Sequence, residues 1–427
     1  MKKINYTIAA LLLTVFVLSG CFKDHVTHTY TFTVPVYKTL STVREEMKSG
    51  PATAMYNTGK IYVQGHYIFL NERGRGIHII DNSNPANPRN ISFIPIPGNE
   101  DIAVKGNTLY ADAYGDLISF DISDPRNIVH GKILQNIFPD RAAYYFNGNT
   151  SDSLILTDYI IKDTTIDLSN PPPNLWYYQS CATCGIFYSS MAPTAASAST
   201  APSASKAVGG SMARFTVVND YLYTVSNMNL TAFDVSSSND PALKSSKQLA
   251  WGIETIYPFE DKLFIGSNNG VYVFEIASDP ANPASVGQFT HARACDPVIT
   301  DGNYAYVTLS DGTKCQGFQN QMDIVDVSRI RYGVSSLVIS YQLKHPKGLS
   351  KDGNTLFVCD DQEGLKIYDA SDVRNLKMIS NLKNTETFDV ITVNGLAIVV
   401  GNDGLYQYDY TDLQNIRLLS KLSTQTN

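Results

Sequence analysis

Apolar and polar positions along this chain recur as a phrase rather than as one long alternation. In "GIHIIDNSNPANPRNISFIP" (76–95) an apolar strand ends on Asp81, an Asn/Pro turn follows, and a second strand leaves the turn. The phrase returns as "DLISFDISDPRNIVHGKIL", "NLTAFDVSSSNDPALKSSKQL", "GVYVFEIASDPANPASVGQF", "QMDIVDVSRIRYGVSSLVISYQL", "GLKIYDASDVRNLKMISNL" and "GLYQYDYTDLQNIRLLSKL". The acid closing the strand is Asp81, Asp121, Asp234, Glu275, Asp326, Asp369 or Asp409. The residue before it is apolar or aromatic in each copy: Ile80, Phe120, Phe233, Phe274, Val325, Tyr368 and Tyr408. Three residues earlier, on the other face, stand Ile77, Leu117, Leu230, Val271, Met322, Leu365 and Leu405. A strand that is apolar on both faces must be covered on both sides.

Each copy is preceded by a shorter strand pair, such as "DIAVKGNTLYADAYG" or "DVITVNGLAIVVGND". The repeating unit therefore reads as four strands, a to d. Four short strands per roughly 40 to 45 residues predict an all-β protein, a β-propeller of seven four-stranded blades. Sheets wedged between neighbouring sheets satisfy the two-faced burial; an open sheet with one wet face does not.

Strand c with its turn, as in "HIIDNSNPANP" and "DIVDVS", resembles the LVIVD-repeat proteins, secreted or lipid-anchored bacterial propellers. The likeness covers most of residues 59–427. Stretches such as "GKIYVQGHYIFLNERGRGIHIIDNSNPANP", "GGSMARF" and "CDPVITDGNYAYVTL" look typical of Bacteroidetes members. The resemblance implies a propeller on the cell envelope and brings no catalytic residues with it.

The N-terminus changes the picture of where the chain resides. "MKKINYTIAALLLTVFVLSGC" has a basic start and an apolar run from Ile8 to Val17. That run is short for a membrane span and reads as a secretory signal over residues 1–20. Leu18-Ser19-Gly20-Cys21 resembles the bacterial lipoprotein lipobox, which implies cleavage before Cys21 and acylation of its thiol. Residues 21–45 then serve as lipid anchor and tether, with "YTFTVPVY" lying along the propeller of 46–427. Acylation makes the membrane a partner, and the resemblance implies the outer membrane, on its periplasmic or surface-exposed side. An insertion at 139–210, holding "PPPNLWYYQSCATCG" and an Ala/Ser/Pro tract, separates blades 2 and 3. The tract lacks apolar periodicity and reads as a flexible loop.

Composition removes one class of partner. The chain of 427 residues has 26 Tyr and 18 Phe but only 17% charged residues, a strand-and-turn balance. Its formal charge of −7 becomes −9 once Lys2 and Lys3 leave with the signal. An acidic chain without a basic stripe is a poor nucleic-acid binder.

Candidate chemistry is sparse. One strand-c carboxylate per blade gives no clustered ligand set for calcium, and Asp followed by Ser or Asn suits a turn cap. Cys295 and Cys315 fall on one face of the fifth blade and are expected to pair as a disulfide. "CATC", with Cys181 and Cys184, suits a local disulfide, a metal pair or a redox motif. No His or Cys pair at zinc spacing accompanies it, and the local disulfide is the simplest reading. Cys359 in "TLFVCD" reads as a packed thiol. His66 and His78 read as structural. No metal site, Gly-rich phosphate loop or cofactor site emerges.

Aligning strand a of all seven units, with one extra hairpin residue in blades 4, 5 and 6, puts an ionisable residue at each opening. These are Lys60, Asp101, Arg214, Glu254, Asp296, Lys347 and Asp389. Because strand a lines the channel of a propeller, the seven are expected to ring its mouth. As a girdle they would neutralise one another; as a funnel they would dock a small ligand, a glycan, peptide or protein, with Trp176, Tyr177 and Tyr178 above. The expected activity is binding or scaffolding. The alternative is a carbohydrate-active hydrolase or lyase using Glu254 with Asp296.

Overall fold

The computed structural model describes residues 27–141, 144–145, 153–167, 208–290, 297–311, 319–383 and 385–425. The signal and Cys21, the cysteines 181, 184, 295 and 315, Asp296 and the aromatic run 176–178 all lie outside the described residues. Contact clustering divides the chain into two units, Met1–Val36 with Asp158–Met191, and Tyr37–Thr157 with Ala192–Asn427.

In the first unit run the outer portions of two long strands, Thr27–Thr39 and Leu154–Asp167. Thr29 Oγ1 meets Thr165 Oγ1 at 2.8 Å, and Thr31 Oγ1 donates to Asp163 at 2.6 Å. The tether expected over 21–45 is thus structured from Thr27 onward. Threonine alternating with tyrosine, phenylalanine and valine favours an extended strand over a coil. In the second unit Thr39 caps a short helix, Leu40–Glu46, whose Val43 is buried.

The second unit is a β-propeller. Among the described residues, seven sheets each contain four consecutive antiparallel strands, numbered here as blades 1 to 7 in chain order. Blade 1 comprises Thr58–Gln64, Tyr67–Glu72, Gly76–Asp81 and Arg89–Pro95. Blade 7 comprises Thr387–Val393, Leu396–Gly401, Gly404–Asp409 and Arg417–Ser423. Strand a of each blade neighbours strand a of the next, and that of blade 7 returns to that of blade 1.

Burial follows the two-faced pattern of the sequence. Ile77, Leu117, Leu230, Val271, Met322, Leu365 and Leu405 are all buried between sheets. Outer strands alternate between half-buried and exposed, as in Ala242–Gln248. One further strand, Val208–Gly209, adds to the inner edge of blade 1, pairing Val208 with Val63 and Gly209 with Tyr62. The chain then continues through Gly210–Arg214, touching the inner strands of several blades before it becomes blade 3. Gly210 N donates to Ile61 O, and Ile256 N to Ala213 O.

Candidate functional site

The strand-c acids act as turn caps. Asp81 Oδ1 accepts from Ser83 N at 3.0 Å, and the same bond to the residue two places on recurs at Asp121, Asp234, Asp326, Asp369 and Asp409. Glu275 reaches Ala277 N and Ser278 N. The hydroxyls of Ser83, Ser236 and Thr411, and after them these backbone bonds, hold Asp81, Asp234 and Asp409 down to about 2.

The strand-a alignment is corrected by the ladder register. In all seven blades the a–b hairpin has a two-residue loop, the last pairs being Gln64↔Tyr67, Lys105↔Thr108, Val218↔Tyr221, Phe259↔Lys262, Thr300↔Ala305 flanking the Asp301–Tyr304 bond, Asp352↔Thr355 and Val393↔Leu396. The extra residue assumed for blades 4, 5 and 6 does not exist. Equivalent positions are Lys60, Asp101, Arg214, Thr255, Pro297, Gly348 and Asp389. Glu254 and Lys347 stand one residue earlier, and Glu254 is the extra residue of a bulge between Ile253 and Thr255. The ionisable ring is therefore uneven, concentrated at blades 7, 1, 2 and 3.

Asp101 is the hub of that concentration and is fully buried. Its Oδ2 accepts from Lys60 Nζ, in an ion pair, and from Arg214 N at 2.8 Å. Burial lowers the proton affinity of Lys60, and the Asp101 charge opposes that effect. Burial and the Arg141 charge likewise lower Arg214, whose Nε donates to the Glu254 carbonyl at 3.2 Å.

Asp112, also fully buried, stands beside this hub. Its Oδ1 accepts from Glu100 N, Asp101 N and Asn99 Nδ2 at 2.8–2.9 Å, and its Oδ2 pairs with Arg141 Nη1. Burial pushes both Asp112 and Glu100 upward, with Arg141 pulling the other way. Arg141 closes a short 3₁₀ turn after strand d of blade 2, and its guanidinium lies 5.1 Å from the Phe138 ring centroid.

Asp389 and Lys347 lie apart from this network. Asp389 Oδ1 accepts from Ser211 Oγ at 3.1 Å, while Ser211 Oγ accepts from Leu349 N at 2.6 Å. A Cβ on Gly210 or Gly348 would overlap the Asp389 carboxyl, so only glycine lets these backbones close over it. Burial raises Asp389 to about 8. Lys347 pairs with Asp361 at 3.0 Å rather than with a ring neighbour.

The remaining candidates are structural. His78 Nε2 meets Glu72 Oε2 at 2.7 Å and its Nδ1 faces Asn90 Nδ2 at 3.1 Å, all within blade 1. His66 occupies the a–b turn of blade 1 and packs against the Tyr67 ring. Cys359 is a fully buried free thiol, raised by burial. A groove of about 240 Å³ lies by the a–b turns of blades 3 and 4, lined by Asn219, Asp220, Glu260, Asp261, Ile276 and Pro280.

Two stretches of the chain, 57–92 and 99–130, match the LVIVD repeat model. The chain carries LVIVD repeats. Both matches fall on blades 1 and 2, the blades that supply Lys60, Glu100, Asp101 and Asp112. No curated protein matches the chain. Among solved structures, the Pseudomonas aeruginosa periplasmic gluconolactonase PpgL is similar at 12% identity and TM-score 0.53, covering 86% of this chain and 97% of that one. A putative 6-phosphogluconolactonase from Bacteroides uniformis is similar at 10% identity and TM-score 0.50, with 86% and 97% covered. The computationally designed Ika8 protein is similar at 9% identity and TM-score 0.50, with 88% and 92% covered. At such identities the likeness concerns the fold alone.

Sequence reasoning had not singled out Arg141, Asp112, Glu100 or Ser211. Arg141 belongs to the insertion and Ser211 directly follows it, in chain that has no counterpart in other blades. Asp112 stands next to last in strand b of blade 2, at the position where other blades place Asn71, Val225 or Gly266, so the repeat pattern itself marks it as an exception.

Proposed function

We propose that the protein is a lipid-anchored, seven-bladed propeller of the bacterial cell envelope that acts as a binding or scaffolding module. Its ligand docks where the inner strands of blades 1 to 3 begin. The observation that carries this reading is the network of Lys60, Asp101, Asp112, Arg141 and Arg214, a concentration of buried charge that hydrogen-bonded strand ladders do not need. Irregular segments on a repeating scaffold are where recognition is placed, and Arg141 comes from the insertion. The lipobox-like LSGC supports the anchor at Cys21. The hydrolase or lyase alternative rests on Glu254 with Asp296, and Asp296 lies outside the described residues. Asp389 adds nothing to it, because its carboxyl is sealed by glycine backbone.

The test is a screen of full-length protein in detergent against glycan and peptide arrays, with the Arg214→Gln variant in parallel. Loss of the wild-type hits in a folded Arg214→Gln protein is expected. Identical hits from both would move the site elsewhere. Incorporation of a labelled fatty acid into wild type, and its loss in Cys21→Ser, is the expected result for the anchor.

A further inference from the structure

Arg141 is held in place without being satisfied. Its side chain is only 9% exposed, its Nη1 is committed to Asp112, and its guanidinium lies beside the Phe138 ring. Its Nε and Nη2 are buried and find no hydrogen-bond partner among the described residues. These two nitrogens form one side of the guanidinium, the side that presents two parallel N–H donors to a planar oxyanion. Leaving such donors unmade in a buried place is costly, and a water, an ion or a ligand group that completes them removes that cost.

We propose that the Nε/Nη2 edge of Arg141 is a receptor for a carboxylate group carried by the ligand. The claim rests on the binding-module reading of the same face and names the chemistry it recognises. Charge selects a carboxylate over phosphate. Lys60, Arg141 and Arg214 stand against Asp101, Asp112 and Glu254, and Arg73, facing Glu100, adds one more positive group. Beside the carboxylates of Asp101 and Asp112 a monoanion meets less repulsion than a dianionic phosphate. Arg73, whose charge acts on Glu100, has a second buried Nε that finds no partner among the described residues.

The carboxylate could be borne by a sugar acid or by a peptide C-terminus. Calorimetry on full-length protein in detergent distinguishes them with four probes: glucuronate, glucuronamide, N-acetyl-Ala-Ala and its C-terminal amide. Binding by at least one acid, with at least about tenfold weaker binding by its amide, is expected. Arg141→Lys, which keeps the charge and removes the fork, is expected to weaken the acid by about tenfold or more. The acid–amide comparison in wild type stands even if the variant does not fold. No acid binding up to about 10 mM would overturn the proposal, as would equal affinity of acid and amide, or inorganic phosphate binding as tightly as the acid. Neutral array hits that persist alongside those outcomes would leave the binding-module reading intact while this inference fails. Loss of all hits would remove both.

Discussion

The carboxyl of Asp389 sits where three stretches of chain converge: its own strand in blade 7, Gly348 of blade 6, and the Gly210–Ser211 stretch that precedes blade 3. Ser211 bridges them by donating to Asp389 and accepting from Leu349 N. With both oxygens enclosed, burial dominates over the hydrogen bonds and the more distant Lys60 charge, and the group titrates at about 8. The sign of its linkage follows. Asp389 holds its proton more tightly in the folded chain than in the unfolded one, so its contribution is whole at acid pH and is lost as pH rises toward about 8. The loss approaches about 1.4 kcal/mol per pH unit within that window. Asp389→Asn, a neutral isostere, is expected to flatten the fall in melting temperature between acid and pH 8 and to be the more stable protein at pH 8. Parallel slopes for the two proteins would show that Asp389 does not titrate in this range.

At the scale of the element, the strand-c turn has the opposite linkage. Asp81 is held down to about 2 by Ser83, with Arg89 adding to it, so its contribution is present above the ordinary carboxylate range and disappears as pH falls toward about 2. Asp81→Asn is expected to lower the melting temperature at pH 7 and to converge on wild type near pH 2. A deficit that stays constant with pH would assign the effect to shape rather than charge. This turn was legible in the sequence because the repeat shows it seven times. Asp81 and its counterparts fill one local role, which an Asx side chain performs through its own neighbours. The four-strand phrase was legible for the same reason, since apolar residues on both faces leave little choice of architecture. The uneven charge of the inner strands was not. Thr255, Pro297 and Gly348 occupy positions where the sequence suggested Glu254, Asp296 and Lys347, a slip of one residue that only ladder register reveals. Arg141 and Ser211 were invisible because long-range packing, not periodicity, brings them to Asp112 and Asp389.

At the scale of the whole molecule, a ring must be closed, and here the seam lies between blades 7 and 1. Blade 7 takes all four strands from the C-terminal end of the chain and blade 1 takes its four from 58–95, so no strand is exchanged between them. Packing joins them instead: Ile61, Ile68 and Ile80 meet Ile391, Ile398, Val400 and Leu405 in one cluster. Polar contacts align the two sheets. Asn82 and Gln407 exchange amide hydrogen bonds at 2.8 and 2.7 Å, Ser420 Oγ donates to Pro85 O, and Thr58 Oγ1 to Gly401 O. Gln407 is fully buried, so its loss strands both amide atoms of Asn82 at the seam. Gln407→Ala is therefore expected to cost about 1–3 kcal/mol. Gln342, which bonds Gln321 inside blade 5 on the exposed side, provides the control, and Gln342→Ala is expected to stay within about 0.5 kcal/mol of wild type. Equilibrium urea unfolding of the three proteins measures both. If the seam is what holds the ring shut, Gln407→Ala also becomes the more sensitive to limited proteolysis under native conditions, with first cuts near the ends of blades 1 and 7. Equal losses in the two variants, with unchanged cleavage, would mean that the apolar cluster closes the ring alone.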